Sequence, residues 1–486
     1  MTGPVVQRTS PRVVLLHTVT FKQARQWVPI ALPVGAAIGF DSGLTTVAAL
    51  VLAVTLLSAT SAALAWWRFG YTDGPTSVVV TRGLLARSVR TVPRDRIRGV
   101  EVEAPLLHRL LGVVRVRIDA AAGATTGEGE EVLVDGVTSA EGERLRAGLL
   151  SRRSGATADA AGAAPAAEPP AEEELARFDP RWLLYAPLAG SYLAVPVAAV
   201  GALFRLLDEL PRDLRPDVDG VQLSGWTAGL LAAAAVLVLL ALGAVAGAAV
   251  VNWGFRLVRR GGALVADRGL VTRRHTELEV DRIRGVTVSA GLGLRWAGAA
   301  RVSALVTGLG DAQRRGQLLP LGPRDRADAL AAQLVEDPGP LRRHPAAARR
   351  RQVVRAMTPG AVVTTAAAVG AVLAGWWPVL AVGIVLLLLG VPVGLGRYAA
   401  LGHAAGPRSF AVRRGWVVQE KAVLQRRAVV SWQVRQSPFQ RRAGVATVVA
   451  CVGAGSGAYS AVDLAAEDVA PFTRAASSDW AGTLAG

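Results

Sequence analysis

Apolar and polar positions divide this chain into two alternating kinds of segment. The first kind is long and nearly free of charge. Residues 26–67 carry one charged side chain, Asp41, inside a turn-like "DSG" at 41–43. Residues 182–204 and 220–255 carry none, and neither do residues 356–396, which are interrupted by "GWWP" at 375–378. An α-helix needs about 20 apolar residues to cross a bilayer. The blocks therefore predict three helical hairpins and six spans, the first pair at 27–40 and 44–67.

The second kind of segment has period two. "SVVVTRG", "VVRVRI", "EEVLV", "ARVSALV" and "VATVVACV" favour β-branched residues between turn glycines, as short half-buried strands do. A strand-like "VLVDG", "LLPLG" or "SAVDL" closes each polar segment, and a helical stretch follows near 138–150, 323–335 and 463–475. Several short strands and one terminal helix predict a small barrel or sandwich, not a βαβ fold.

The two kinds recur together. Residues 81–118, 267–305 and 413–451 align in one frame, each opening on Arg-Gly: Arg82-Gly83, Arg268-Gly269 and Arg414-Gly415. A second glycine follows 29 residues after the first (Gly112, Gly298, Gly444), with an arginine three residues before it (Arg109, Arg295, Arg441). Constant spacing in three copies marks one domain type repeated. "RTSP" at 8–11, "RFDP" at 177–180 and "RRHP" at 342–345 precede the hairpins; proline there suits an extended lead-in or the first turn of a helix.

The hexapeptide "DRIRGV" occurs at 95–100 and again at 281–286. Ile97 and Val100 are three apart where alternation demands two, so the Arg-Gly pairs at 98–99 and 284–285 predict a bulge or a tight bend. The third copy reads "RRAVVS" at 426–431, without the glycine, and a softer bend is expected there. The layout is then an N-terminal segment and hairpin at 1–67, a β domain at 68–153, and an Ala-, Pro- and Glu-rich linker at 154–176 expected to be disordered. A hairpin at 177–255, a β domain at 256–340, a hairpin at 341–396 and a β domain at 397–486 follow.

Charge adds an orientation. Lys and Arg number 54 against 37 Asp and Glu, a net +17, which admits either nucleic acid or a membrane flank. Residues 68–181 hold 16 basic and 17 acidic side chains, so that region is no basic patch and nucleic-acid binding is not expected. Basic residues crowd the ends of the apolar blocks instead, at Lys22, Arg25, Arg68, Arg181, Arg256, Arg355 and Arg397, while the connections inside each pair are poor in them. The positive-inside rule places both ends of the chain and all three β domains in the cytoplasm. No apolar core with a cleavage site precedes residue 27, so no removed signal peptide is expected.

Residues 434–450, "VRQSPFQRRAGVATVVA", carry the strongest motif of the frame. With paired spans ahead of each copy, the chain resembles the bacterial pleckstrin-homology-like (PH-like) membrane proteins of the YdbS/YdbT type, and three copies resemble the longer members. The resemblance covers nearly the whole chain. It implies an α+β membrane protein: three repeats of a transmembrane helical hairpin plus a small cytoplasmic PH-like β-barrel or sandwich with a C-terminal helix. The second copy departs most, with "SAGLGLRWAG" in place of the polar stretch.

Candidate chemistry is sparse. The sequence contains no G-x-x-x-x-G-K, H-E-x-x-H or G-x-S-x-G. Cys451 stands alone, and no two of the five histidines share metal-ligand spacing, so no enzyme activity, metal or cofactor is expected. The spans lack the midplane ionisable groups that transporters use. What remains is a set of arginines on domains held at an anionic leaflet: Arg82, Arg96, Arg98, Arg268, Arg282, Arg284, Arg414, Arg426 and Arg427. The expectation is a cell-membrane scaffold in the lipid bilayer whose domains bind another membrane PH-like protein or anionic lipid headgroups. The competing class is an export or defence component that handles a lipid or an antimicrobial peptide.

Overall fold

The computed structural model describes residues 7–19, 43–83, 88–94, 97–120, 131–154, 172–209, 225–307, 316–375 and 377–477. The expected span at 27–40, most of the linker and Arg96 lie outside the described residues. The chain forms two compact units, Met1–Glu172 with Ala263–Glu277, and Glu173–Gly262 with Leu278–Gly486. This division cuts through the second repeat, and strand pairing gives the reason below.

In the first unit, β1 (Gly70–Asp73), β2 (Ser77–Arg82) and β3 (Ser88–Pro93) form one antiparallel meander. A second runs through β4 (Ile97–Ala104), β5 (Val113–Ala120) and β6 (Glu131–Thr138), and the helix Ser139–Ser154 follows. Alternating residues of both meanders, among them Val80, Ile97, Val116 and Val134, share a core that Leu145 and Leu149 of the helix close. This is the small two-layer domain that the period-two pattern predicts.

Beyond it come β7 (Glu172–Arg177), β8 (Arg256–Arg260), β9 (Ala263–Arg268) and β10 (Arg273–Glu279). The second unit continues with β11 (Ile283–Gly291), β12 (Ala299–Val306), β13 (Gln317–Pro323) and the helix Arg324–Leu334. The third repeat holds β14 (Gly402–Ala405), β15 (Ser409–Arg414), β16 (Val418–Gln425), β17 (Val429–Arg435), β18 (Val445–Val452), β19 (Ala458–Ala465) and the helix Ala466–Ala475. Phe410, Trp432 and Phe472 centre its core, with ring centroids 5.6 to 6.3 Å apart.

The spaced glycines explain themselves. Gly112, Gly298 and Gly444 follow the short helices Leu106–Leu110, Leu292–Trp296 and Pro438–Arg442 with φ of +67°, +63° and +64°. That left-handed conformation costs a residue with a Cβ and suits glycine.

The bulge after the first residue of β4 and β11 is present, with register shifts at Ile97/Gly99 and Ile283/Gly285. The softer bend expected in the third copy is not: β17 shifts register at Val429/Ser431 in the same place. Glycine is therefore not what makes the bulge. At Gly285 it admits a neighbour, because a Cβ there would lie 2.6 Å from the Val423 carbonyl oxygen of β16.

The lead-ins to the hairpins are extended, and the prolines follow them. Gln7 bridges to Tyr71, β7 pairs with β8, and Arg342 bridges to His403. Residues 172–176, expected to belong to a disordered linker, are thus strand, because β8 supplies the hydrogen bonds that their Glu-rich sequence gives no hint of.

Among the described residues, three helices are long and apolar enough to cross a membrane: Gly225–Asn252, Ala346–Leu373 and Trp377–Ala399. A further apolar helix, Gly43–Arg68, ends on its one charged residue. The third hairpin packs through small residues on one face; a Cβ on Gly394 would lie 2.4 Å from Val353 Cα, and one on Gly390 2.7 Å from Met357 Cα. Such close backbone approach is how helices associate where no hydrophobic force acts between them. The expected continuous span at 182–204 is not formed. Residues Pro180–Leu188 and Gly190–Tyr192 are 3-10 turns and the α-helix covers only Ala194–Glu209, since Pro187 and Gly190 both interrupt an α-helical ladder.

Candidate functional site

Strands from successive repeats meet edge to edge. β10 pairs with β4, Arg274 facing Glu103 and His275 facing Val102. β16 pairs with β11, Glu420 facing Ser289 and Lys421 facing Val288. Counted from Gly83, Gly269 and Gly415, these pairs occupy identical positions, so both junctions use one register. The first unit takes in β9 and most of β10 for this reason.

A side-chain clamp repeats with the register. Arg109 donates to the main-chain oxygen of Leu270 at 3.0 Å, and Arg295 to that of Trp416 at 3.1 Å. Each acceptor is one residue past the glycine that opens the next repeat. Around the first junction Arg146 adds an ion pair to Glu277 at 2.9 Å, and Arg274 lies 3.6 Å from the buried Glu103.

The second junction also floors a cavity of about 510 Å³. Because strand side chains alternate, Val286, Val288, Val302 and Ala304 are buried in the core while Thr287, Ser289, Arg301 and Ser303 line the cavity. Arg414 and Glu420 of the third repeat line it too, as do residues 189–191 at the second 3-10 turn. Arg301 donates to Ser191 Oγ at 2.7 Å and stacks 5.2 Å from the Tyr192 ring centroid, and its Nε is buried without a partner. Burial pushes the Arg301 pKa down. Arg414 donates to Ser460 Oγ at 3.0 Å and lies 3.7 Å from Glu420. Next to it, Arg413 caps the main-chain oxygens of Ala399 and Ala400 at the end of the helix Trp377–Ala399. Two guanidiniums and several hydroxyls can donate to an anion with multiple oxygens, with the Glu420 carboxylate offsetting part of their charge.

A second polar centre ties the third hairpin to its domain. Asp463 is fully buried with φ +57° and accepts from Arg351 at 2.9 Å, Gln352 at 2.7 Å and Gln440 at 2.8 Å. His344 Nδ1 lies 3.2 Å from the Asp463 main-chain oxygen, and His403 lies 3.2 Å from His344. Burial lowers both imidazole pKa values, that of His403 to about 4, with His344 beside it adding to the effect. The first repeat has a counterpart, His108 bonded to Asp135 at 2.8 Å. The second has buried Leu294 and Leu321 in those positions, which accounts for the apolar "SAGLGLRWAG".

Among the described residues, the candidate arginines do not form one site. Arg82 is exposed at the end of β2, and Arg98 belongs to β4. Arg268 and Arg284 are half-buried on β9 and β11, and Arg282 pairs with Glu279 at 2.6 Å. Arg426 and Arg427 come together with Arg408 around a separate cavity of about 520 Å³, where Arg426 donates to the Pro407 main-chain oxygen at 2.9 Å. Among the described candidates, Arg414 alone meets the cavity at the second junction. The residues missed by sequence reasoning are Arg301, for which no sequence signal exists, and the clamp arginines, whose constant spacing was the signal.

Comparison with known proteins agrees with the repeat. The family described as "Bacterial PH domain" (bPH_2) matches residues 27–153, 201–337 and 360–476. A curated relative, the UPF0699 transmembrane protein YdbT of Bacillus subtilis (strain 168), is 23% identical over 261 residues. That match takes in 51% of this chain and 52% of the relative, so about half the relative's length is spanned. No solved structure matches the chain.

Proposed function

Because this chain belongs to the bacterial PH domain family, we propose that it is a non-enzymatic scaffold of the cell membrane. Its apolar helices carry three cytoplasmic PH-like domains, which bind another membrane PH-like protein and the anionic headgroups of the inner leaflet. The observation that carries this reading is the pair of strand junctions in one register, each with its arginine clamp. Domains that recognise one another through sheet edges are built for protein contacts. The basic residues that flank the apolar blocks support the orientation.

The cavity of Arg301 and Arg414 is where a headgroup phosphate fits. The test is thermal unfolding of the purified full-length chain in detergent, with short-chain phosphatidylglycerol or phosphatidylcholine added. Stabilisation by the anionic lipid alone, lost in Arg301→Gln/Arg414→Gln, supports the reading, and equal stabilisation by both lipids sinks it. Crosslinking in intact cells tests the protein partner. An alternative reading, in which the spans move a lipid or antimicrobial peptide, draws on the cavity's position beside residues 189–191 and requires substrate-dependent flux in reconstituted vesicles.

A further inference from the structure

The register that joins the repeats is used twice, and the strands leave room for a third use. Within the chain, the first strand of a second meander receives the third strand of the next repeat: β4 receives β10, and β11 receives β16. The strand in that position in the third repeat is β17. The sheet order ends on it, with no strand beyond it among the described residues. At the other end of the chain, β3 is the counterpart of β10 and β16, and it too is an edge strand.

We infer that β17 of one copy receives β3 of a second copy, so that the chains join head to tail along the membrane. This deepens the scaffold reading and rests on it, since the edges meet only if all three domains share one membrane face. The register transfers directly. Val102 and Val288 face His275 and Lys421, and their counterparts are Val434 and Val89. Arg435 then faces Ser88, and Gln433 faces Arg90.

Burial marks Val434 as the unfilled position. Val102 is 8% exposed and Val288 3%, while Val434 is 52% exposed and Val89, its inferred partner, also 52%. Phe439 on the adjoining short helix is exposed as well. Edge strands are usually guarded against pairing by lysine, proline or early termination, whereas β17 shows exposed valines at Val430 and Val434. The clamp is left over too: Arg441 is the counterpart of Arg109 and Arg295, and its guanidinium has no hydrogen-bond partner among the described residues.

Ser431 sets the length of the ladder. It stands where Gly285 admits β16 so closely that a Cβ would meet a carbonyl oxygen. Pairing at β17 therefore stops short of Ser431, as it does at β4, where the ladder covers four residue pairs from Glu101 to Ala104. A heterologous contact of this kind closes into a ring or extends as a row.

The experiment uses the full-length chain in native membranes, with Cys451→Ser to remove the native thiol. Two differently tagged copies, one carrying Val89→Cys and the other Val434→Cys, are co-expressed and oxidised. A disulfide-linked dimer carrying both tags is expected, and a chain with both substitutions gives a ladder of higher bands. Arg441→Ala lowers the yield of both. Lys421→Cys/Val288→Cys, at the same register in the built junction, is the folding control and closes within one chain. If the control closes and the mixed pair does not, the inference is overturned. It is equally overturned if Val434→Cys links to itself or to an unrelated protein. Labelling of Val434→Cys by an impermeant maleimide in inside-out but not right-side-out vesicles checks the shared membrane face separately, so failure of the orientation is distinguished from failure of the pairing.

Discussion

Arg295 lies on a helix of five residues in the second repeat and donates to the Trp416 main-chain oxygen of the third at 3.1 Å. The bond fixes the start of one repeat against the end of another. A hydrogen bond to a charged group contributes about 1.5–3 kcal/mol. Arg295→Ala is expected to lower the thermal unfolding midpoint of the detergent-solubilised chain accordingly. Arg441→Ala, which removes the unpaired member of the set, leaves the midpoint of the monomeric chain unchanged.

Gly285 is needed by β16 and not by its own bulge. Gly285→Ala forces a Cβ to 2.6 Å from the Val423 oxygen, and strain of this kind costs about 1–3 kcal/mol. Limited proteolysis should become faster between the second and third repeats. Ser431→Gly, at the matching position on the edge strand, should leave the cleavage pattern as it is.

Asp463 accepts three side-chain hydrogen bonds while fully buried. Its truncation leaves Arg351 without its carboxylate. Asp463→Ala is expected to destabilise by about 3–5 kcal/mol, the usual cost of breaking a buried pair. Asp463→Asn keeps a side chain tolerated in the left-handed conformation and should lose less. Chemical unfolding of the two variants side by side measures the difference.

Acid should open the same region. His403 has its pKa lowered from 6.5 to about 4, first by burial and then by His344. The unfolded chain takes up its proton near 6.5 and the folded chain only near 4, so stability is intact above the first value and falls as pH drops from one toward the other. His403→Leu removes its share of that dependence. Unfolding midpoints measured across this window give the comparison, and a flat profile in the unsubstituted chain contradicts the argument.

Much of this architecture is legible in the sequence because it depends on local spacing. Gly112, Gly298 and Gly444 announce a turn that only their backbone adopts easily, and the apolar block at 356–396 with its "GWWP" announces a hairpin. The block at 182–204 misleads for a local reason as well: hydropathy reads composition, while Pro187 and Gly190 decide helical continuity. The hexapeptide "DRIRGV" is a fold device at its bulge, but in its second copy Gly285 answers to a strand from another repeat.

The sequence by itself determines the repeat, the faces of its strands and the long apolar helices, because period, composition and turn chemistry act over a few residues. Only the tertiary structure decides which edges meet, that Arg301 and Arg414 share a cavity, and that Val434 stands exposed where Val102 and Val288 are covered. Those facts depend on residues more than a hundred positions apart finding one register, and alternation along a strand specifies the face of each side chain but not the strand that lies beside it.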